Sequence, residues 1–584
     1  MRALPILFLA LGGCAGSPLP ATPATPLRTA AERRQGTALM LHRGAADLAP
    51  ENSLDACELA FLFGGDGIEI DLRRTRDGTI VLLHDEWIDR VLDGFGNAAD
   101  LSYEELLLLP FRDPGFPGAR VATLDQALAL CKRTHGLLHL DVKVPGIDAE
   151  ILRRIEEAGL LDHVATVNAQ NAEALRKDPR VRPLPSRGSL IHGANDYSRA
   201  DVDSRLRSGK GGTLLVDDPR AAAAALGRPA PDPALVAHRV PFVPPLVMDR
   251  GRAEDLLSAA DNLPEPPDFS RRQALARLIL FYRRVAEREI PVRAPQQPPE
   301  VRPDWIWAMG RLASSGWTPA EPSRSLILEA LAGGSGLEAA AEAAGEARLE
   351  EAVPRLVEIL EKLAAPSGRL AADDESRRRH ASRIRLRAAA AKALGRIGKA
   401  TPEAIRALRD AVARRSLHVE GAWQGLDGAE AVKALASLDP AGSVPLFREA
   451  ALRRDPALAE IARREEIPTW LRQVPSWWDF RIKTEAIRAL GAIGTAESRA
   501  ILESFLEIPK EEAEKAWREL HWDAARALAG GRWTLSVTKL KRLFEHPTPA
   551  VRRTAAVALL ARWREEYAPL RDQHVPWAKA WGAD

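Results

Sequence analysis

At 584 residues the chain is too long for a single core, and its length implies about three to four domains. Lys and Arg (82) nearly balance Asp and Glu (80), for a formal net charge of +2, so charge gives no argument for nucleic acid or an anionic surface as partner. Three cysteines exclude a disulfide-built scaffold.

The chain opens with Met1-Arg2, a short apolar stretch from Ala3 to Leu11, and then Gly12-Gly13-Cys14. A charged start, an apolar core and small residues before a cysteine make a secretory signal over 1–14, too short to span a bilayer as a mature helix. The Leu-Gly-Gly-Cys segment resembles a bacterial lipobox, which implies acylation of Cys14 and a lipid anchor in the cell envelope, facing the periplasm. Ordinary cleavage near Ala15 with release into the periplasm is the alternative. In either case the protein is exported, where Cys57 and Cys131 could pair or remain buried thiols. Residues 15–36, rich in Pro, Ala and Thr, read as a flexible tether. No other segment is apolar enough to cross a membrane.

From 37 to 228 strand-like and helix-like runs alternate. Strand-like runs end near His42, Asp71, His84 and Lys143. Between them Leu54–Phe63 follows the cap candidate Ser53, and Ser102-Tyr103-Glu104-Glu105 and Thr123-Leu124-Asp125-Gln126 are capping-box patterns that open helices. This alternation argues for a parallel sheet, and chemistry at strand ends is where a TIM-type (β/α) barrel places it. Val164–Val167, Ser189–Ile191 and Thr213–Val216 supply weaker strands, with helices over Ala172–Arg176 and Arg220–Leu226. A strand–helix–strand unit takes about 30 residues or more. Too few separate Lys143 from Thr213 to complete eight, so the barrel is expected to be shortened or irregular on this side.

Residues 229–322 are proline-rich and read as a connector with one helix, Arg271–Glu287. From 323 to 584 the sequence is rich in Ala, Leu and Arg with helical period and no strand signal. A segment recurs at Ala390–Gly398, Ala431–Leu438, Ala486–Gly494, Ala524–Gly530 and Ala555–Leu560, aligning Leu394, Leu435, Leu490, Leu528 and Leu559. Small alanines let helices approach closely while leucine fills the seam, and companion helices follow at Ile405–Val412 and Ile501–Leu506. Stacked helix pairs of this kind form an all-α solenoid, and the pattern resembles HEAT-like repeats. The arginine-rich run Arg377–Arg387 reads as a solvated helix face.

The chemistry-bearing residues all lie in the first region. Glu69 and Asp71, two apart on a strand, share one face and repel unless a cation joins them. Asp141, two before Lys143, brings a third carboxylate from another strand. All-oxygen ligation suits Ca²⁺ or Mg²⁺ over zinc; a solvated edge strand without an ion is the alternative. His42 and His84 each directly follow an apolar run, as an acid–base pair would if the two faced each other across a phosphate. Arg43 can grip phosphate oxygens through its fork or form a salt bridge to Glu51. Lys143 can touch the phosphate or the carboxylates. His135, His139, His163 and His192 show no comparable pattern.

In order, His42-Arg43-Gly44, Pro50-Glu51-Asn52-Ser53, Gly67–Leu72, Thr75-Arg76-Asp77-Gly78, His84-Asp85, Asp89-Arg90 and Asp93-Gly94 resemble the glycerophosphodiester phosphodiesterase family. Thr123-Leu124 and Leu140–Lys143 continue the likeness, and Asp217-Asp218-Pro219 resembles its closing segment. The resemblance covers about residues 37 to 226. It implies a TIM barrel, a divalent metal and hydrolysis of glycerophosphodiesters to glycerol 3-phosphate and an alcohol. It makes His42 and His84 the acid–base pair, Glu69, Asp71 and Asp141 the metal ligands, and Arg43 and Lys143 the phosphate contacts. In the usual reaction the substrate's own glycerol hydroxyl attacks phosphorus, and water opens the resulting cyclic phosphate. Three features depart from the family. Asp141 stands where glutamate is usual, the late tryptophan strand has no counterpart, and the helical region lies outside the usual architecture.

Two other readings use the same residues differently. One is phospholipase D-like action on a lysophospholipid or sphingolipid head group. The other is a non-catalytic envelope scaffold whose solenoid recruits a protein partner.

Overall fold

A computed structural model describes residues 28–190, 212–217, 252–262, 270–363, 374–413, 425–453, 480–513 and 520–530, with His546, apart from positions 47, 114, 115, 117, 334, 335 and 510. Cys14, the tether up to residue 27, the helix expected at 220–226 and Leu559 lie outside these residues.

The N-terminal region is built on one seven-stranded sheet: β1 (Thr37–Leu41), β2 (Gly67–Arg74), β3 (Ile80–Leu82), β4 (Leu137–Val142), β5 (Val164–Val167), β6 (Ser186–Leu190) and β7 (Gly212–Val216). The order is β5-β4-β2-β1-β7-β6 with all these neighbours parallel, while β3 hangs antiparallel on β2. Helices α1 (Ala30–Arg33), α2 (Leu54–Leu62), α3 (Tyr103–Leu107), α4 (Leu124–Thr134), α5 (Asp148–Ala158) and α6 (Glu173–Lys177) accompany it. The expected caps form: Ser53, Ser102 and Thr123 each accept from a first-turn amide, the latter two in full capping boxes.

The sheet is a curled half-barrel. Strands β4, β2 and β1 separate β5 from β7 in its order, yet the Thr166 hydroxyl donates to that of Thr213 across 3.3 Å. At the base the chain bridges the two sides, with the Leu184 amide donating to the Ala165 carbonyl and the Thr213 amide to that of Pro185. Alternation then sorts the side chains. Leu39, Leu41, Ile68, Ile70, Leu138 and Leu140 pack outward into the core shared with α2, α4 and α5. Ala38, Met40, Leu137 and Ala165 fill the base of the concave side. Further along β1, β2 and β4 that inner side continues as His42, Glu69, Asp71, His139 and Asp141.

One strand departs from the expected pattern. The run ending in His84 is no parallel barrel strand: Arg74 pairs with Ile80 and Leu72 with Leu82. Only a tight turn joins β2 to β3, with Gly78 at φ +86 and the Thr75 amide bonded to the Thr79 carbonyl. A parallel crossover needs a dozen residues or more, so the chain must reverse. The reversal carries His84 back to the level of Asp71, whose carbonyl accepts from the Leu83 amide. Residues 28–34, at the end of the span read as a tether, are packed on the sheet. Arg28 and the buried Arg33 both reach the carboxylate of Asp66. Cys57 and Cys131 are buried free thiols, not a disulfide.

Beyond the sheet the described chain is all helix: α7 (Ala253–Asn262), α8 (Arg271–Phe281), α9 (Arg283–Arg293), α10 (Arg302–Ser314), α11 (Ser323–Ala332), α12 (Leu337–Glu346), α13 (Val353–Lys362), α14 (Asp374–Ile397), α15 (Pro402–Ala413), α16 (Leu426–Leu438), α17 (Pro440–Leu452), α18 (Phe480–Ile493), α19 (Ala496–Glu507) and α20 (Leu520–Gly530). The described part of the span read as a connector belongs to this region, because Leu256, Leu275 and Trp305 share one core with the later helices. Among the described residues Pro303 sits at a helix start, Pro291 inside α9 and Pro295 in a short 3₁₀ turn, so proline between 291 and 303 does not mark a linker. The helix expected at Arg271–Glu287 is two, broken at Tyr282.

Helices α10, α12, α14, α16, α18 and α20 pack each on the next, and α13, α15, α17 and α19 make a second row. The close approach within the first row is set by glycine against alanine. A Cβ built on Gly345 would lie 2.6 Å from Ala393 Cα, and one on Gly395 3.0 Å from Ala434 Cα. Leu394, Leu435, Leu490 and Leu528 are all buried in the seam. Arg387, read as part of a solvated face, is instead fully buried, its guanidinium 2.7 Å from Asp427.

Candidate active site

The sheet brings the three predicted carboxylates together. Strand register sets Glu69 opposite His139 and Asp71 opposite Asp141 on the concave side. Glu69, Asp71 and Asp141 each offer an oxygen, and these atoms all lie within 4.8 Å of one another. Asp141 achieves this although it is one methylene shorter than glutamate. Burial pushes the Glu69 carboxyl well above the usual carboxylate range, and the Asp71 charge adds to that push. Burial acts on Asp71 in the same sense, but Arg43, His84 and Lys143 outweigh it and hold that group below its ordinary value. One acid of the pair is thus charged at the expense of the other, as expected of a site completed by a cation. Three carboxylates at this separation fit a divalent ion that takes oxygen ligands.

Arg43 and Lys143 lie at the rim of this cluster. The Arg43 backbone, at φ +55, points its amide at Glu69 Oε2 over 2.7 Å. Its guanidinium forms the alternative expected from the sequence, a 3.0 Å bond to Glu51, with Nε 3.4 Å from Asp71 Oδ2. Lys143 reaches the carboxylates: Nζ is 2.7 Å from Asp141 Oδ2 and 3.0 Å from Asp71 Oδ1. Asn52 also holds Asp71, donating from Nδ2 to Oδ2 over 2.7 Å and accepting the Asp71 amide at Oδ1 over 3.2 Å.

His42 and His84 flank the acids, and each is backed by its own aspartate. His42 Nδ1 lies 2.7 Å from Asp217 Oδ1, at the end of β7, and that carboxylate is fully buried. Burial lowers the imidazole's proton affinity, but the bond to Asp217 and the charge of Glu69 raise it further, so the pKa of His42 lies above its ordinary value. His84 Nδ1 lies 2.7 Å from Asp85 Oδ1. Asp85 is gripped in turn by Arg90 Nε, and Arg90 makes a two-pronged bond to Glu51 at 2.6 Å and 2.6 Å. Glu51 closes the circuit through Arg43, back to Asp71. Arg73 fixes the His84 main chain by donating twice to its carbonyl, at 2.8 and 3.0 Å. With Nδ1 engaged in both rings, Nε2 is the nitrogen of each left for proton transfer.

The sequence singles out His42, His84, Glu69, Asp71, Asp141, Arg43 and Lys143, with Glu51 as a salt-bridge partner of Arg43, but it gives no role of their own to Asp217, Asp85, Arg90 or Asn52. The partners of Asp217 and Arg90 lie 175 and 39 positions away, so which group each would meet depends on long-range closure. His139 was passed over although it stands two residues before Asp141. It is buried beneath the cluster, with Nε2 3.0 Å from Asn168 Oδ1, and burial lowers its pKa. The two-residue alternation along β4 was the available signal.

Residues 42–180 match the model of the Glycerophosphoryl diester phosphodiesterase family. A glycerophosphodiester phosphodiesterase of Caldanaerobacter subterraneus is 32% identical over 158 residues, 25% of this chain and 63% of that protein. A putative glycerophosphodiester phosphodiesterase of Bacillus subtilis is 36% identical over 116 residues, 19% of this chain and 46% of its own. The chain therefore spans between about half and three fifths of these relatives. Among solved structures, the glycerophosphodiester phosphodiesterase from Agrobacterium tumefaciens is 21% identical with a TM-score of 0.29, covering 32% of this chain and 99% of its own.

Proposed function

We propose that this chain, whose residues 42–180 carry a domain of the glycerophosphodiester phosphodiesterase family, hydrolyses glycerophosphodiesters to glycerol 3-phosphate and an alcohol. The observation that carries the reading is the pairing of two aspartate-backed histidines around one cluster of three carboxylates. Glu69, Asp71 and Asp141 would hold a divalent cation, Ca²⁺ or Mg²⁺, which when bound neutralises charge on the phosphate. His42 and His84 are assigned the proton transfers. One imidazole takes the proton of the attacking hydroxyl at Nε2, and the other delivers a proton to the departing alkoxide, with Asp217 and Asp85 stabilising each ring when charged. Arg43 orients the phosphate through its guanidinium, and Lys143 supplies positive charge between Asp71 and Asp141.

A panel of glycerophosphodiesters and lysophosphatidylcholine, offered to the full chain with and without added cation, tests the reaction. Release of glycerol 3-phosphate that stops in excess EDTA and returns with Ca²⁺ or Mg²⁺ supports it. Turnover undiminished by EDTA, or restricted to lysophosphatidylcholine, refutes it. His42→Ala and His84→Ala should each remove most turnover while preserving the fold.

The alanine–leucine segments and the two helix rows support reading the all-α region as HEAT-like repeats. The signal-like start supports an exported protein anchored at Cys14 in the envelope; metabolic palmitate labelling that disappears in Cys14→Ala tests this. Among the described residues no helix is long and apolar enough to cross a membrane.

A further inference from the structure

We infer that the helical region is part of the catalytic apparatus in cis: Arg481, on α18, is a positioning residue that holds the Asp85–Arg90 pair, and through it His84, in place. The inference rests on the phosphodiesterase reading for its activity arm and on geometry alone for the rest. Neither Asp85 nor Arg90 is on the sheet. Both belong to the long segment between β3 and α4, whose small core of Ile88, Leu92, Tyr103, Leu106 and Phe111 is separate from that of the barrel. Within the N-terminal region Asp85 is gripped by Arg90 and Arg90 by Glu51, so the geometry at His84 depends on how firmly the turn that carries Arg90 is held.

The helices supply that hold. Three successive members of the first row each send charge into this segment. From α18, Arg481 is ion-paired with Asp89, the residue preceding Arg90, with the two side chains only 11% and 2% exposed. From α14, Lys392 lies 2.9 Å from Asp93 Oδ1 and donates to its carbonyl over 3.2 Å, while Arg396 pairs with the other oxygen. From α16, Glu430 lies 3.2 Å from Arg112, which donates to the carbonyls of Asp89 and Leu92 at 2.7 and 2.8 Å. The Lys392 ammonium also lies 5.4 Å from the centroid of Phe95, a loop residue packed in the helical core.

Arg481 stands out among these contacts because its partner Asp89 directly precedes Arg90, which grips Asp85. Burial lowers its pKa to about 10, opposed by the charges of Asp85 and Glu485. Arg481 thus braces the turn that carries Arg90, the residue that grips the carboxylate bonded to His84. Bringing such a charge out of water is costly, and a well-packed apolar residue would stabilise the interface at least as well. A guanidinium here is explained by what it orients. It also follows that the charged groups of α14, α16 and α18 named above are engaged by the protein's own loop and are not free for another partner.

The test uses the full chain and three variants: Arg481→Met, Arg481→Lys and the double variant Arg481→Met with Asp89→Asn. Arg481→Met should lower kcat for glycerophosphocholine about tenfold, within the range for outer-shell partners of a catalytic site, with KM within about twofold. Arg481→Lys should recover most of the loss. The double variant leaves no lone buried carboxylate, so a purely structural role predicts full recovery of kcat, whereas positioning predicts that the loss persists. Hydrogen exchange over residues 84–93 should quicken in Arg481→Met, and this reads the clamp whether or not the chain hydrolyses glycerophosphodiesters. Wild-type kcat in Arg481→Met or in the double variant, or unchanged exchange over 84–93, would overturn the inference. A wild-type chain without phosphodiesterase activity, but with quickened exchange in the variant, would sink the functional reading and leave the clamp standing.

Discussion

Replacing Asp217 by asparagine tests the histidine assignment with the least disturbance of shape. The wild-type carboxylate is fully buried and 2.7 Å from His42 Nδ1, so the asparagine side chain occupies the same volume but lacks the charge that stabilises the imidazolium. A hydrogen bond to a charged partner is worth about 1.5–3 kcal/mol, equivalent to roughly 10- to 150-fold in rate if the bond is felt fully in the transition state. The direction of the pH effect follows from the balance at His42. Burial opposes the charged ring, while Asp217 and Glu69 support it. Removing the Asp217 charge leaves burial opposed mainly by Glu69, so the pKa of His42 falls and its limb of the rate profile moves to lower pH. The assay is initial rates of glycerophosphocholine hydrolysis with saturating cation over about pH 5 to 9, beside thermal melts that establish folding. A folded Asp217→Asn protein with kcat within about threefold of wild type and an unmoved limb would refute the argument that Asp217 orients and charges His42.

Glu69→Gln should abolish activity but raise the melting temperature in EDTA at about pH 8, because burial and Asp71 raise the folded pKa of Glu69 and the penalty for ionising it accrues as pH climbs above its ordinary value; an unchanged or lower melting temperature contradicts this. Glu51 behaves in the opposite sense. Burial raises its pKa, but Arg90 and Arg43 overcome that and bring it down to about 2 from 4.5. Its ion pairs stabilise the protein fully above the ordinary value and are lost as pH falls toward the folded one, at most about 3 kcal/mol. Urea midpoints between these pH values should fall more steeply for wild type than for Glu51→Gln. Gly345→Ala should destabilise the helical region, since overpacking costs about 1–3 kcal/mol against a helix-propensity gain of about 1 kcal/mol. A higher melting temperature would show that α12 and α14 are not as close as the 2.6 Å clash requires.

The acids were legible because their placement is local. Two-residue alternation puts Glu69 and Asp71 on one face whatever else the chain does, and one strand pairing adds Asp141. His84 was legible as a strand-end histidine, but the wrong strand geometry was attached to it. The deciding feature is the shortness of the turn at Thr75–Gly78, which forces an antiparallel return, and an apolar run alone does not reveal strand direction. Pairings such as His42 with Asp217 or Arg90 with Glu51 depend on closure over long stretches of chain, which periodicity does not encode. The prolines between 291 and 303 misled for a local reason. Proline at a helix start is as compatible with continued helix as proline in a linker is with none, and only the apolar neighbours Trp305 and Ile306 tell them apart.

The boundary between barrel and helices is where composition separates the chain and the structure does not. Composition shifts after residue 228, yet Phe95 is buried among residues of the helical core, and Glu104 on α3 takes bonds from Gln273 and Arg277 on α8 at 3.0 and 2.7 Å. Cutting there would strip Asp89 and Asp93 of Arg481 and Lys392, leaving carboxylates in a loop whose own core is small. The carboxylate trio would survive such a cut, since strands β2 and β4 place it. The Asp85–Arg90 pair would not keep its geometry. A barrel fragment should therefore bind cation like the full chain and turn over substrate far more slowly, which separates what the sheet builds from what the helices hold.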